Sequence, residues 1–376
     1  MANEAETVSL LVDRAAHELR RGRAVLLRAA DQGQLVDRGV LVASAETLTE
    51  PLLAQLRALG DENAALAITA GRGAVLHIPS AGHDTILLPL ARLPVAEAEQ
   101  AAFIRDLADA SRDLGKPLRG PFEAVKRAAP PATAAAAIKL AKIAYLLPAA
   151  LHVPVRADAL LPELLVTLPT GMAMDYDRAA AESLVPISQA RLPVADAEDA
   201  RLYAFRPADG GPEHFALVIG RPDPAQPVLA RLHSECFTGD LLGSMRCDCG
   251  EQLRGAVRAI NEAGGGVLLY MAQEGRGIGL VNKLRAYQLQ DQGFDTIEAN
   301  QRIGFGADER WFLPAARMLK LLGFDAVRLL TNNPEKVTGL EAAGIRVAER
   351  VPHKFPANSH NEAYLATKKK RSGHYL

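Results

Sequence analysis

The chain has 376 residues, 49% hydrophobic and 23% charged, with a formal net charge of −1. That length exceeds one ordinary core and points to two domains. The balanced charge speaks against a nucleic-acid partner, and three cysteines are too few for a secreted disulfide framework, so a reducing compartment is expected.

The first residues, MANEAETVSLL, carry acids where a signal peptide needs a basic start and an apolar core. The most apolar stretch, 130–155, is interrupted by Lys139, Lys142, Pro148 and Pro154, so no membrane partner is expected and a cytoplasmic protein is. Residues 10–22 show helical spacing, with Leu10, Leu11, Ala15 and Leu19 along one side. AVLL (24–27) and GVLVASAE (39–46) read as strands, and PLLAQLRALG (51–60) as a helix closed by its glycine. ALAIT (65–69) and AVLHI (74–78) read as further strands. Residues 121–185, rich in Ala, Pro and Leu, read as helices and connections completing a first domain. A near-repeat, ARLPVAEAE (91–99) and ARLPVADAE (190–198), extends no further and reads as coincidence.

Beyond residue 185 the texture changes. HFALVIG (214–220) and PVLARLHSE (227–235) are expected strands, and SMRCDCGEQLRGAVRAINEAGGG passes from a loop into a helix. GVLLYM (266–271) is a strand followed by a glycine-rich turn, with a helix over 281–292. AVRLLT (326–331), NPEKVTGLEAAG (333–344) and IRVAERV (345–351) spell strand, capped helix and strand. The KKKR run (368–371) reads as a solvated terminal segment. The expected fold class is α/β (α+β), with two domains, 1–184 and 185–376, each a mixed sheet with flanking helices.

Every cysteine of the chain lies in RLHSECFTGDLLGSMRCDCGEQL (231–253). Cys236, Cys247 and Cys249 have C-x10-C-x-C spacing, and thiolates favour zinc. Three protein ligands leave a fourth position open for water, which marks a catalytic site; the rival reading closes the site with His233. The turn EGRGIG (274–279) follows a strand and opens a helix, so its backbone can approach an anion, with Arg276, Lys283 and Arg285 as phosphate donors. Together these features suggest hydrolysis acting on a nucleotide or sugar phosphate. In GFGADER (304–310), Asp308 offers a base and Arg310 a phosphate-holding group, although both also suit an ordinary charged surface.

These motifs, with DTIEAN, LLTNNPEKV and AERVP in the same order, resemble GTP cyclohydrolase II, the first enzyme of riboflavin biosynthesis, over about half the chain. The resemblance implies zinc on Cys236, Cys247 and Cys249, and Mg2+ with the triphosphate. It implies contacts to GTP from Arg231, Leu232, His233, Ser234, Glu235, Gln252, Glu274, Gly275, Arg276, Thr296, Thr331 and Lys336. It makes Asp308 the proton acceptor, Arg310 the nucleophile toward the α-phosphate, His233 a pocket residue and the assembly a homodimer. The products would be 2,5-diamino-6-(5-phospho-D-ribosylamino)pyrimidin-4(3H)-one, formate and pyrophosphate. A related cyclohydrolase of pyrimidine catabolism and a non-catalytic zinc- and nucleotide-binding regulator are the alternatives.

Residues 17–60 are similar in layout to 3,4-dihydroxy-2-butanone 4-phosphate synthase, with GVLVASAETLTEP the nearest match. That family holds Mg2+ on a dense acidic run. Here the loop reads RAADQGQLVDRG, with only Asp31 and Asp37, and AGHDT (81–85) poorly replaces the family's His-containing turn. Two isolated aspartates cannot assemble a hard-cation site, so the first domain is expected to be a degenerate, non-catalytic relative with a structural, dimerising or regulatory role.

Overall fold

The computed structural model describes residues 4–31, 34–35, 38–116, 119–124 and 130–355. Asp37, the Asp31 side chain and the KKKR run lie outside them. The chain forms two compact units. One comprises Thr7–Tyr176 with Val281–Asp308, and the other is mainly Asp177–Leu280 with the chain from Glu309 onward. Among the described residues no helix is long and apolar enough to cross a membrane.

The first unit begins with α1 (Glu4–Arg20). Its buried stripe is Val8, Val12, Ala15, Ala16 and Leu19, whereas Leu10 is 41% exposed. The small alanines, more than the leucine pair at 10 and 11, mark the side that meets the core. Then come β1 (Val25–Arg28), a ribbon of β2 (Ala30–Asp31) and β3 (Gln34–Leu35), β4 (Val40–Ser44) and α2 (Glu50–Leu59). Thr49 caps α2 by accepting from the Leu52 amide at 3.3 Å. Gly60 does end this helix, but at φ −88° and ψ 164°, so no left-handed cap is involved. It is glycine because a Cβ there would run into Val153.

Next come β5 (Ala65–Thr69), α3 (Ala70–Val75), β6 (Thr85–Pro89), α4 (Gln100–Ala108), α5 (Ala132–Ile143), β7 (Ala149–Pro154), β8 (Thr167–Pro169) and α6 (Thr170–Glu182). The expected strand AVLHI is instead the end of α3 and a turn. Thr69 caps that helix by accepting from the Arg72 amide, and Arg72 turns inward to pair with Asp113 at 2.5 Å and to donate to the Leu107 carbonyl at 2.8 Å. The strand of this region is TILLP. Residues 121–185, expected as helices and connections, also contribute β7 and β8. The sheet order is β6-β5-β7-β4-β1-β8, and only β1 and β8 pair in parallel.

The second unit holds β9 (Val185–Arg191), β10 (Ala200–Arg206), β11 (His214–Gly220), β12 (Val228–Ser234), α7 (Cys249–Glu262) and β13 (Gly265–Met271). The chain then passes through α8 (Leu280–Asp291) and α9 (Thr296–Arg302), which pack in the first unit. It returns for α10 (Leu313–Leu321), β14 (Ala326–Leu330), α11 (Pro334–Ala342) and β15 (Arg346–Val351). The seven-stranded sheet runs β15-β14-β12-β13-β11-β10-β9, parallel from β15 to β13 and antiparallel from β13 to β9. The near-repeat adopts two structures, a short 3-10 turn at Leu90–Arg92 and the end of β9 at Arg191, so its likeness is indeed local.

Period-two alternation assigns the faces of this sheet. Ala230, Leu232, Val267, Leu269 and Leu329 pack against Ala315, Met318, Leu319 and Leu340 of α10 and α11. Leu229, Leu268 and Leu330 pack against Ala256, Val257 and Ile260 of α7. Each such Leu or Ile removed from water contributes about 1.5–3 kcal/mol, so these two layers fix the strand register. On the α7 face, β12 reads Leu229, Arg231, His233. Hydrophobic packing gives way to polar groups toward its carboxyl end.

Candidate active site

Parallel strands point their carboxyl ends the same way, where open α/β sheets place their ligands. Here β12 runs into Glu235 and Cys236, β13 into Gln273–Gly279, and β14 into Thr331–Asn333. The cysteine motif, the glycine-rich turn and the TNNP cap, distant in sequence, therefore emerge along one edge of one sheet.

Cys236 follows β12, a π turn spans Phe237–Leu241, and Cys249 opens α7. The three Sγ atoms lie within 4.8 Å of one another, with Cys236 and Cys247 Sγ 3.7 Å apart. Hydrogen bonding to Cys236 pushes the Cys247 thiol up to about 11, and Cys249 is likewise raised by both neighbours and by burial. Crowded thiols resist ionising beside one another. A soft dication reverses that, and its ligands bind as thiolates. The backbone is shaped to the trio: a Cβ on Gly239 would stand 2.8 Å from Cys247 Sγ and 3.0 Å from Cys236 Sγ. The donor set and its cradle thus fit zinc.

His233 belongs to a different group. Its Nε2 lies 3.0 Å from Asp240 Oδ1, and burial lowers its pKa while Asp240 opposes that shift. Tyr270 donates to Asp240 Oδ2 at 3.0 Å, and burial followed by the Asp240 charge raises the phenol's pKa. Arg231 donates to the Leu330 carbonyl at 3.0 Å and to Gln252 Oε1 at 2.5 Å. Burial lowers its pKa to about 10, which leaves it charged at neutral pH. The Gln252 amide in turn donates to Asp248 at 2.5 Å. The Leu232 side chain is in the core on the opposite face, and its carbonyl accepts from Lys336 Nζ at 2.7 Å. Glu235 continues the strand through its amide to the Met271 carbonyl at 2.8 Å, one residue beyond Ser234. The Thr331 hydroxyl accepts from the Asn333 amide at 3.0 Å and shapes the cap of α11.

The glycine-rich turn is more constrained than its sequence suggests. Gly275 has φ 63° and Arg276 φ 61°, two successive left-handed residues, one with a full side chain. Such a conformation costs a non-glycine residue about 1–2 kcal/mol and concentrates at functional sites. Glu274 holds the turn by accepting from the amides of Phe237 and Gly275, each at 2.7 Å, which ties it to the cysteine loop. The Glu309 amide donates to the Arg276 carbonyl at 3.0 Å, and Gly277 admits no Cβ against the Glu309–Arg310 backbone. The fold therefore brings Arg310 to the turn.

Thr296 and Asp308 fall in the first unit. Thr296 starts α9 behind an Asp295–Glu298 capping box, and Asp308 ends the excursion. Arg285, read from sequence as a phosphate donor, is engaged by Glu46 at 2.8 Å and by Asn282 at 2.7 Å. Lys283 Nζ sits 5.7 Å from the centroid of the Tyr287 ring. Sequence reasoning missed Asp240, Tyr270, Gly239 and Asp248. An acid or a glycine inside a loop carries no periodic signal, and Tyr270 looks like one more apolar strand residue.

The sequence profile of the GTP cyclohydrolase II family matches residues 186–352. A GTP cyclohydrolase-2 from Azospirillum brasilense is 48% identical over 376 residues, covering 98% of this chain and 94% of the relative. A GTP cyclohydrolase-2 from Azotobacter vinelandii is 57% identical over 175 residues, 46% of this chain and 84% of the relative. A two-domain 3,4-dihydroxy-2-butanone 4-phosphate synthase from A. baumannii superposes over 90% of this chain and 99% of its own, at a TM-score of 0.34 and 17% identity, a likeness too loose to argue from. Near full-length identity to the Azospirillum protein, together with the motif order on the second sheet, places this chain in the GTP cyclohydrolase II family.

Proposed function

We propose that the protein hydrolyses GTP to 2,5-diamino-6-(5-phospho-D-ribosylamino)pyrimidin-4(3H)-one, formate and pyrophosphate, the opening step of riboflavin biosynthesis. The observation that carries this reading is the Cys236–Cys247–Cys249 trio, within 4.8 Å, at the carboxyl edge of a family-matched sheet. Zinc held by the trio would supply an activated water for attack on the imidazole ring. By their places in the family's motifs, Arg231, Leu232 (through its backbone), His233, Ser234, Glu235, Gln252, Thr296 and Thr331 would contact the nucleotide. The Glu274–Arg276 turn and Lys336 face the triphosphate, whose oxygens would carry Mg2+. Arg310 acts at the α-phosphate, and Asp308 accepts and returns protons as ring opening proceeds.

Residues 185–376 form the catalytic region, and 1–184 a non-catalytic one. Contacts within the first unit support a holding role for the latter. Glu46 grips Arg285, the Tyr145 carbonyl accepts from Asn282 at 3.0 Å, and Thr69 donates to the Gly304 carbonyl at 2.9 Å. These clamp the segment that carries Thr296 and Asp308. The protein is further read as a cytoplasmic homodimer.

Purified full-length protein incubated with GTP, Zn2+ and Mg2+ should release formate and pyrophosphate together. Zinc-loaded protein that releases neither overturns the assignment. The same protein given ribulose 5-phosphate and Mg2+ should form no dihydroxybutanone phosphate, and its formation would restore a synthase role to the first half.

A further inference from the structure

In the parallel pairing of β12 with β13, His233 stands opposite Tyr270, and their rings stack 5.6 Å apart at 19°. The π turn after Cys236 returns Asp240 to the same place. Its carboxylate accepts from His233 Nε2 at 3.0 Å, from the Tyr270 hydroxyl at 3.0 Å and from the Cys236 amide at 3.0 Å. The His233 and Asp240 side chains are only 3% and 7% exposed.

A carboxylate surrounded by donors acts as a pure acceptor. The imidazole proton therefore sits on Nε2, and Nδ1 presents a lone pair. That Nδ1 is buried and has no hydrogen-bond partner among the described residues. Two more buried polar atoms at this edge of the sheet, Arg231 Nε and Asn333 Nδ2, are likewise unpartnered. Buried polar atoms in native proteins nearly always have a partner in protein, water or ligand, so three unpaired ones gathered at this end of the sheet call for one.

We propose that Asp240 is a positioning residue of the cyclohydrolase reaction: it fixes the His233 tautomer so that Nδ1 accepts a hydrogen bond from an N–H or O–H group of the bound nucleotide. This rests on the GTP reading above. With the opposite tautomer, a donor would face a donor, and the buried clash would discriminate against the substrate. The base offers N1–H and the 2-amino group, the ribose its 2′ and 3′ hydroxyls. The chemistry is the same for both, and analogues separate them.

The test uses full-length wild type, Asp240→Asn, His233→Ala and the double variant, each checked for zinc content and thermal unfolding. GTP is compared with 1-methyl-GTP and inosine triphosphate for the base, and with 2′-deoxy- and 3′-deoxy-GTP for the ribose. Asp240→Asn should keep its zinc and lose about 10–100-fold in kcat/KM, as loss of an orienting partner typically does. The double variant should be no worse than His233→Ala alone, because the two residues act as one unit. One analogue should be disfavoured at least about tenfold by wild type, with that penalty gone in His233→Ala and Asp240→Asn. Additive losses, a penalty that survives in His233→Ala, or zinc loss matching the activity loss in Asp240→Asn would each overturn the proposal. Should Asp240→Asn not fold, the analogue comparison with His233→Ala decides. Wild-type turnover of GTP is read in the same assay, so failure of the reaction assignment shows separately.

Discussion

The two sheets of this protein are built from similar strands, yet among the described residues the one cluster of side chains able to hold a metal lies on the second. In the six-stranded sheet a single neighbouring pair, β1 and β8, runs parallel, so successive strand ends alternate direction. Some polar side chains near those ends pair locally: Glu46 takes Arg285 and the Leu147 amide, and His152 Nε2 meets the Thr133 hydroxyl at 2.9 Å. In the seven-stranded sheet four neighbouring strands run parallel, and their following loops deliver three thiols, a strained turn and a helix cap to one edge. In the second sheet, shared strand direction is what gathers these loops at one end.

The largest expected effect comes from breaking the equipped edge. Cys247→Ser should leave the protein metal-poor by elemental analysis and cut GTP turnover by at least about 100-fold. Gly239→Ala tests the cradle without touching a ligand. Its Cβ would press on Cys247 Sγ at 2.8 Å, so zinc affinity in a chelator competition should fall roughly 10–100-fold with the fold retained.

Acid sharpens the comparison next. Burial lowers the pKa of His214 and of His353 from 6.5 to about 4. Both stay neutral in the folded state, while the unfolded chain takes up protons near 6.5. Their stabilising effect is therefore full above pH 6.5 and lost as pH falls toward 4, by on the order of 3 kcal/mol for each at the low end. Urea unfolding followed across that window should show the decline, and His214→Gln should make it shallower.

Smaller effects follow. Arg276→Gly should raise stability by about 1 kcal/mol, since glycine accepts φ 61° without strain, while activity falls with the lost guanidinium. A thermal melt and a turnover assay on one sample read both signs. Glu46→Gln removes the half-buried pair with Arg285 and should cost about 1 kcal/mol or less, seen as faster hydrogen exchange in α8.

Part of the second sheet was legible because β11 (HFALVIG) and β13 (GGVLLYM) are apolar runs beside glycines and because Cys236, Cys247 and Cys249 are the chain's only thiols, whereas β9 (VPISQAR) and β10 (ARLYAFR) carry too many polar residues to read as strands. The first unit was less legible where local signals compete. AVLHI has strand composition, yet the Thr69 cap and the buried Arg72–Asp113 pair draw it into α3 and a turn. The stripe of α1 is written in valines and alanines as well as Leu19, which a count of leucines overlooks. Asp240 and Tyr270 became visible only in three dimensions, because their meeting depends on a π turn and a cross-strand register.

The central claim is that three sulfur ligands leave one coordination position of zinc to solvent. X-ray absorption at the zinc edge of the full-length, metal-loaded protein measures this directly. The account predicts three sulfur scatterers near 2.3 Å and one oxygen near 2.0 Å that is replaced or displaced when nucleotide binds. A shell of four protein ligands, unchanged by nucleotide, would contradict it.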